Sequence, residues 1–114
     1  MNNRQTGERY EAAACRFLVV NGFRILDRNY RCRFGEIDII AEENGTLCFV
    51  EVKYRYSDRF GTPAEAVSKT KQNRIIHVSK LYLLENHLFQ SRIRYDIIEI
   101  LDGKIRLIRD CFGG

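Results

Sequence analysis

The stretch from residue 35 to residue 53, GEIDIIAEENGTLCFVEVK, decides the fold of this chain. It contains the largely apolar segment 36–42 and most of a second one, 46–55, separated by Asn44-Gly45. Both residues of an Asn-Gly pair tolerate the positive φ angles of a tight turn, so this pair between apolar segments is a strong signal for a β-hairpin. We therefore predict two antiparallel strands joined at Asn44-Gly45.

The acidic residues of the first predicted strand are unusual for so apolar a segment. Because side chains alternate along a strand, Glu36 and Asp38 are expected on one face, and Ile37 and Ile39 on the other. Central strands that are covered by helices on both sides rarely carry unpaired acids. The alternative is that the acids form an ordinary solvated face of the hairpin.

The second strand carries Glu51 and Lys53 on a common face. A symmetric turn would place Asp38 opposite Glu51, and Glu36 opposite Lys53, whereas a bulge would break this register. Two like charges directly opposite each other destabilise a hairpin by roughly 0.2–1 kcal/mol. A divalent cation between the two carboxylates would reverse the sign of that interaction.

This placement predicts a metal site of the kind that hydrolyses phosphodiesters. Mg²⁺ prefers oxygen ligands, commonly one or two carboxylates together with waters and substrate phosphate oxygens. Asp38, Glu51 and the carbonyl of Val52 could supply the protein's share. Lys53 could orient or help to deprotonate an attacking water and offset charge in the transition state.

The remaining chain adds two helices and three strands to the hairpin. Thr6 is predicted to cap a first helix that ends at Asn21-Gly22, and a second helix is predicted from Ala64 or Ser68 to Glu85. The further strands are predicted at 23–31, 93–101 and 104–110. The order α-β-β-β-α-β-β predicts a single α/β domain, residues 1–114, in which helices pack against a mixed sheet.

The composition excludes several classes of protein. The 114 residues are 45% hydrophobic and 30% charged, which is typical of a folded domain. No apolar run reaches the roughly 18 residues that span a membrane, and the polar start shows no signal peptide, so we expect a cytoplasmic protein without a membrane partner. The four cysteines form no CxxC pair, which argues against a zinc site and for free thiols.

Basic and aromatic residues flank the acidic hairpin in a chain of net charge +4. They could track a phosphate backbone and stack on bases, so we expect a nucleic-acid partner. The alternative for each residue is an ordinary solvated charge or a packed ring. The basic candidates include Arg33, Arg55, Lys71 and Arg74, and the aromatic candidates are Tyr30, Tyr54, Tyr56 and Phe60; the loop 55–63 would be a mobile element over the site.

Four stretches of the sequence resemble a known family. The chain resembles the uncharacterised bacterial YraN-like family, within the PD-(D/E)XK nuclease superfamily that includes restriction endonucleases and Holliday junction resolvases. The likeness covers nearly all of residues 7–100. It is carried by Gly7…Glu11-Ala12-Ala13, Asn29…Gly35-Glu36-Ile37-Asp38-Ile39-Ile40-Ala41, Phe49-Val50-Glu51-Val52-Lys53-Tyr54-Arg55, and Gly61-Thr62-Pro63-Ala64-Glu65-Ala66-Val67 continuing to Lys71-Gln72.

The resemblance implies a restriction-endonuclease-like fold and assigns roles to individual residues. It implies that Asp38 and Glu51 bind metal, that Lys53 is catalytic, and that Glu11 on the first helix assists. The helical pair Lys71 and Gln72 would contact substrate or water. One departure is Tyr10, which stands where relatives often have glycine.

The expected activity follows from the residues and the resemblance together. We expect a Mg²⁺- or Mn²⁺-dependent endonuclease that acts on DNA, with branched substrates such as Holliday junctions within its range. Because resolvases act as dimers, the resemblance also allows a homodimer. The alternative is a nucleic-acid-binding module or an adaptor that keeps the nuclease fold without cutting.

Overall fold

A computed structural model describes residues 3–55, 67–88 and 90–113 of the chain. Two helices and five strands are present in this part, in the predicted order α-β-β-β-α-β-β. Their bounds are α1 Asn3–Val20, β1 Arg24–Cys32, β2 Gly35–Glu43, β3 Thr46–Arg55, α2 Lys69–Glu85, β4 Arg92–Leu101 and β5 Lys104–Phe112.

The five strands form one mixed sheet in the order β1-β2-β3-β4-β5. Neighbouring strands are antiparallel except for β3 and β4, which run parallel. A parallel connection needs a crossover of a dozen or more residues, and the segment that contains α2 provides it. The predicted α/β domain with a mixed sheet and flanking helices is therefore confirmed.

Each face of the sheet carries its own hydrophobic core. On one face, residues of α2 such as Ile75, Val78 and Tyr82 pack with Phe49 and other strand residues. On the other face, Ala14 and Leu18 of α1 pack on the opposite side chains of the strands. The central strands are thus covered by a helix on both sides, which explains their nearly continuous apolar sequence. Neither helix is long and apolar enough, over its described residues, to cross a membrane.

The starts of the two helices differ in how well the sequence predicted them. Ser68 caps α2, and its side chain accepts a hydrogen bond from the backbone N–H of Lys71. The alternative start at Ala64 lies outside the described residues. The cap predicted at Thr6 is wrong, because α1 begins at Asn3 and Thr6 lies inside its first turns. A residue that could cap a helix marks its start only where the residues before it are not helical. The residues from Asn3 to Gln5 are helical, so Thr6 is not the cap.

The register of the central hairpin agrees with the prediction as far as it extends. The β2–β3 pairs run from Glu43 and Thr46 to Ile39 and Val50, and the pairing stops there. Asp38 and Glu51 therefore occupy the first unpaired step of the hairpin. The predicted pairing of Glu36 with Lys53 is wrong, because β2 and β3 are no longer paired at that point.

The predicted alternation of side chains on β2 fails at Asp38. Ile37 belongs to the core under α2, whereas Ile39 belongs to the core under α1. On the neighbouring strand β1, Tyr30 pairs with Ile37 and Arg28 pairs with Ile39. Between these partners lies Asn29, with a φ of 53°. This left-handed residue disturbs β1 beside Asp38, where β2 also parts from β3.

All four cysteines are free thiols, as predicted. Cys48 is buried and the others are partly buried. Burial raises the pKa of Cys48 to about 12 and that of Cys111 to about 11. Both side chains therefore stay protonated at neutral pH, and they act as small core residues.

An ion-pair network ties the turn end of β2 to β4 and β5. Arg94 and Arg109 both donate to the Glu43 carboxylate, at N–O distances of 2.6 to 2.9 Å. Arg94 also makes a forked contact with the fully buried Asp96. Hydrogen bonds from Arg109, followed by those from Arg94, lower the pKa of Glu43 to about 2, against the effect of burial.

We expect Glu43→Gln to lower the free energy of unfolding by about 2 kcal/mol at pH 7, because charged hydrogen bonds of this kind are lost. The folded-state pKa is depressed, so the contribution is present above the unfolded value near 4.5 and is lost as pH falls toward 2. Urea unfolding at pH 7 and pH 3 should show the difference shrinking. Glu42→Gln, which removes an exposed pair with Arg24, is the control and should cost less than about 1 kcal/mol. An equal loss for Glu43→Gln at both pH values would contradict this account.

Candidate metal centre

Asp38 and Glu51 meet where β2 and β3 stop pairing. Asp38 accepts a hydrogen bond from the backbone N–H of Val52, with an N–O distance of 2.9 Å. The Glu51 side chain is 3% exposed, and the Asp38 and Glu51 carboxyl groups interact directly. The end of the hairpin pairing thus brings a half-buried carboxyl group, that of Asp38, together with the buried carboxyl group of Glu51.

Burial raises the pKa of Asp38 to about 8, and a hydrogen bond with Glu51 and its charge add to this rise. The N–H of Val52 and the charge of Lys71 act in the opposite direction but do not cancel it. A carboxyl group whose pKa is raised in this way, beside another carboxyl group, is one whose negative charge lacks compensation. A divalent cation would supply that compensation.

Glu11 reaches the same place from α1. Its pKa is raised, first by burial and then by the charge of Asp38, while Arg28 and a hydrogen bond with Asn29 lower it. Its Oε1 atom is buried and has no hydrogen-bond partner within the described part of the chain. A buried carboxyl oxygen without a partner costs free energy, so this atom is available for a ligand.

A cavity of about 180 Å³ connects these groups. Glu11 and Asp38 contribute carboxyl groups to its wall, and the aromatic rings of Tyr10 and Tyr54 stack with a centroid distance of 4.3 Å. Tyr10, the departure from the family pattern, therefore forms part of the wall and leaves Glu11 in place. The described residues that line the cavity are Gly7, Tyr10, Glu11, Asp38, Val52, Tyr54 and Lys71.

The donor set fits a hard divalent cation with an incomplete protein shell. Among residues 3–55, 67–88 and 90–113, no three Asp, Glu, His or Cys side chains converge closely enough to hold an ion between them. The protein's share would be the carboxylates of Asp38 and Glu51 and the carbonyl of Val52. Two carboxylates with several remaining positions for water and phosphate oxygens suit Mg²⁺ or Mn²⁺ better than a fully enclosed site.

The cation that contacts Glu51 is Lys71. Its Nζ atom lies 2.5 Å from Glu51 Oε2, and its side chain lines the cavity. The sequence placed Lys71 on the apolar face of its helix, and the structure confirms this placement. Lys53 follows Glu51 on β3 and is partly buried, but it is not among the described residues that line the cavity. Its catalytic role stays a prediction.

Two of the predicted nucleic-acid contacts keep an exposed cationic group. Arg33 lies in the β1–β2 connection, with its guanidinium 4.8 Å from the ring centroid of Phe34. Arg74 is exposed on α2. Gln72, in contrast, donates its side-chain amide to the Val67 carbonyl at 3.0 Å and so helps to fix the start of α2.

Arg55 is paired inside the protein, and its predicted phosphate contact stays a prediction. Its side chain is 10% exposed, and its Nη2 atom lies 2.5 Å from Oε2 of Glu99, a residue that is fully buried on β4. Arg106 of β5 contacts the same carboxylate at 2.8 Å. The pairing has a simple cause, since a buried acid on a neighbouring strand needs a counterion.

The aromatic candidates divide into packed and partly exposed rings. Tyr30 donates a hydrogen bond to Glu85 at 2.7 Å and packs edge-on against Tyr82, so it is a packed ring. Tyr54 remains 38% exposed beside the cavity. Tyr56, Phe60 and the predicted mobile loop after Arg55 lie outside the described residues.

Asn29 and Glu99 are the residues that sequence reasoning missed. Asn29 was part of a matching stretch but received no role, although asparagine is among the few residues that adopt a left-handed conformation readily. Glu99 stands within the apolar segment Ile97-Ile98-Glu99-Ile100. A single acid in such a segment indicates a buried carboxylate that needs a basic partner. Both signals were present in the sequence.

The fold and the site together define a small α/β protein with paired carboxyl groups at the open end of a central hairpin. A profile described as "Uncharacterised protein family UPF0102" matches residues 10–100. The chain belongs to this family.

Several relatives match over nearly the whole chain. A UPF0102 protein of Lachnoclostridium phytofermentans is 49% identical, over 98% of this chain and 96% of the relative. A UPF0102 protein of Clostridium tetani is 44% identical, over 96% and 95% of the two chains. A solved structure titled "Crystal structure of SSO0001" matches with a TM-score of 0.48 and 18% identity, over 92% of this chain and half of the other.

Proposed function

We propose that this protein is a metal-dependent endonuclease that hydrolyses phosphodiester bonds in DNA, including branched DNA. The observation that carries the proposal is the meeting of Asp38 and Glu51 beside a cavity that also holds Glu11. A fold under selection for stability alone would gain by replacing one of the two carboxyl groups, because burial, with the hydrogen bond and charge of Glu51 adding to it, raises the pKa of Asp38 to about 8.

The chain's own residues would divide the work of hydrolysis. Asp38, Glu51 and the Val52 carbonyl would hold Mg²⁺ or Mn²⁺, which supplies Lewis-acid chemistry when bound. Glu11 carries a buried oxygen without a described partner and would orient the attacking water or accept its proton. Lys53 and Lys71 would offset negative charge on the phosphate.

The charge of the chain supports a polyanionic substrate. The net charge is +4 although the site itself gathers carboxyl groups, so the positive charge lies elsewhere on the surface. Arg33 and Arg74 are exposed and provide such charge. We propose DNA as the partner, a cytoplasmic location, and a homodimer where two strands are cut symmetrically.

Cleavage assays with a panel of substrates test this function. Purified protein with Mg²⁺ or Mn²⁺ should cleave at least one of linear duplex, single-stranded, flapped and four-way DNA, and EDTA should abolish the cleavage. A matched RNA panel tests the choice of nucleic acid. Salt-dependent binding without turnover in either metal would contradict the endonuclease and favour the non-cleaving module. Binding to neither nucleic acid would favour the adaptor.

A further inference from the structure

Lys71 makes a short ion pair with one oxygen of the candidate metal site. Its Nζ lies 2.5 Å from Glu51 Oε2. The two partners differ in exposure, since the Glu51 side chain is 3% exposed and the Lys71 side chain is 49% exposed. The carboxylate is therefore fixed in the interior, while the lysine reaches it from the surface.

The backbone of Lys71 is held independently of this ion pair. Its N–H donates to the side chain of Ser68, the N-cap of α2, with an N–O distance of 3.1 Å. The neighbouring side chain of Gln72 donates to the carbonyl of Val67. Lys71 can therefore change side-chain conformation without unfolding the start of α2, because a lysine has a flexible four-carbon stem.

The ammonium group and a divalent cation would compete for Glu51. Mg²⁺ binds carboxylate oxygens at about 2.0–2.1 Å, so an ion on Oε2 and an ammonium on the same oxygen would lie only a few ångströms apart. Like charges at such a distance repel, and the burial of Glu51 keeps water from screening this repulsion fully. The ion pair has to open, or weaken greatly, before this oxygen of Glu51 can serve as a metal ligand.

We propose that Lys71 is a built-in competitor of the metal, which neutralises Glu51 in the metal-free protein and is released into the cavity when the metal binds. The inference rests on the proposed function, because it uses the same site. The released ammonium lies at the cavity wall, so the phosphate of a bound substrate is the anion it would contact next. Substrate would then strengthen metal binding, and metal would strengthen substrate binding, by reciprocal linkage.

Calorimetric titration of Mn²⁺ tests the competition without relying on activity. We expect Lys71→Met to bind Mn²⁺ about 5-fold or more tightly than the unmodified protein, as the loss of one partly exposed ion pair implies. Lys69→Met is the matched control, since Lys69 is an exposed lysine two residues earlier on α2, and its affinity should stay within about 2-fold. Equal or weaker binding by Lys71→Met would overturn the inference and leave the metal site intact. Absence of Mn²⁺ binding by all three proteins would overturn the proposed function as well.

NMR of the unmodified protein shows whether the metal displaces the Lys71 ammonium from Glu51, or whether removing a positive charge simply favours cation binding. This measurement does not depend on the folding of a variant. Saturation with Mg²⁺ should shift the Cε and Nζ signals of Lys71 toward those of a free, mobile lysine, and the Lys69 signals should stay unchanged. Lys71 signals that remain in their metal-free positions at saturating Mg²⁺ would refute the release.

Discussion

Asp38→Asn and Glu51→Gln are each expected to reduce metal-dependent DNA cleavage by about 100-fold or more. Each change removes a negatively charged ligand while keeping nearly the same shape, and the loss of one electrostatic component of a catalytic site commonly costs factors of this size. The measurement is the single-turnover cleavage rate on the best substrate at saturating Mn²⁺. Glu42→Gln is the matched control, because Glu42 lies on β2, the strand of Asp38, and forms an exposed ion pair with Arg24.

Loss of activity in these variants should not come from unfolding. Asp38→Asn removes one of two interacting carboxyl groups from a largely buried position, so the metal-free variant should be at least as stable as the unmodified protein. Thermal unfolding in EDTA measures this directly. Activity retained by both variants would remove the two carboxylates from the mechanism, and a large drop in stability for Asp38→Asn would contradict the account of their repulsion.

Arg55→Met is expected to lower the free energy of unfolding by about 3 kcal/mol, the largest loss of stability predicted for this chain. Breaking a buried ion pair from one side leaves a buried charge with insufficient compensation. Glu99 is fully buried, and after the substitution only Arg106, whose side chain is 60% exposed, would contact it among the described residues. Urea denaturation at neutral pH gives the measurement.

Two further variants make this prediction specific. Replacing both partners, in Arg55→Met with Glu99→Leu, should recover most of the lost stability, because no buried charge then remains without compensation. Arg33→Met should change stability by less than about 1 kcal/mol, since Arg33 is exposed and its guanidinium lies over the ring of Phe34 at the surface. If Arg55→Met kept full stability but lost affinity for DNA, the original interpretation of Arg55 as a phosphate contact would be supported.

Local signals in the sequence predicted most of the fold. Asn44-Gly45 set the register of the central hairpin, and Ser68 marked the start of α2, because turns and caps depend on a few neighbouring residues. The cap at Thr6 failed since the residues before it are also helical. The alternation on β2 failed at Asp38 because Asn29, on a different strand, changes the local backbone.

The sequence predicted the positions of the carboxyl groups in the candidate site better than it predicted the contacts of the basic side chains. Asp38 lies beside Glu51 and lines the cavity together with Glu11, and metal binding by these residues stays a prediction. The partners of Arg55 and Lys71 depend on contacts between elements far apart in the chain, such as α2 with β3 and β3 with β4. Periodicity within one segment carries no information on such contacts, so a buried arginine and an exposed one look alike in sequence.

The central claim is that Asp38 and Glu51 hold a divalent metal, and paramagnetic broadening by Mn²⁺ tests it most directly. In amide NMR spectra, substoichiometric Mn²⁺ should first broaden the signals of Asp38 and of Glu51 to Lys53, together with Glu11 and Lys71 nearby. Asp38→Asn should weaken this pattern strongly. Broadening centred on another acidic residue, such as Glu43 at the turn end of β2, or no selective broadening at all, would contradict the claim.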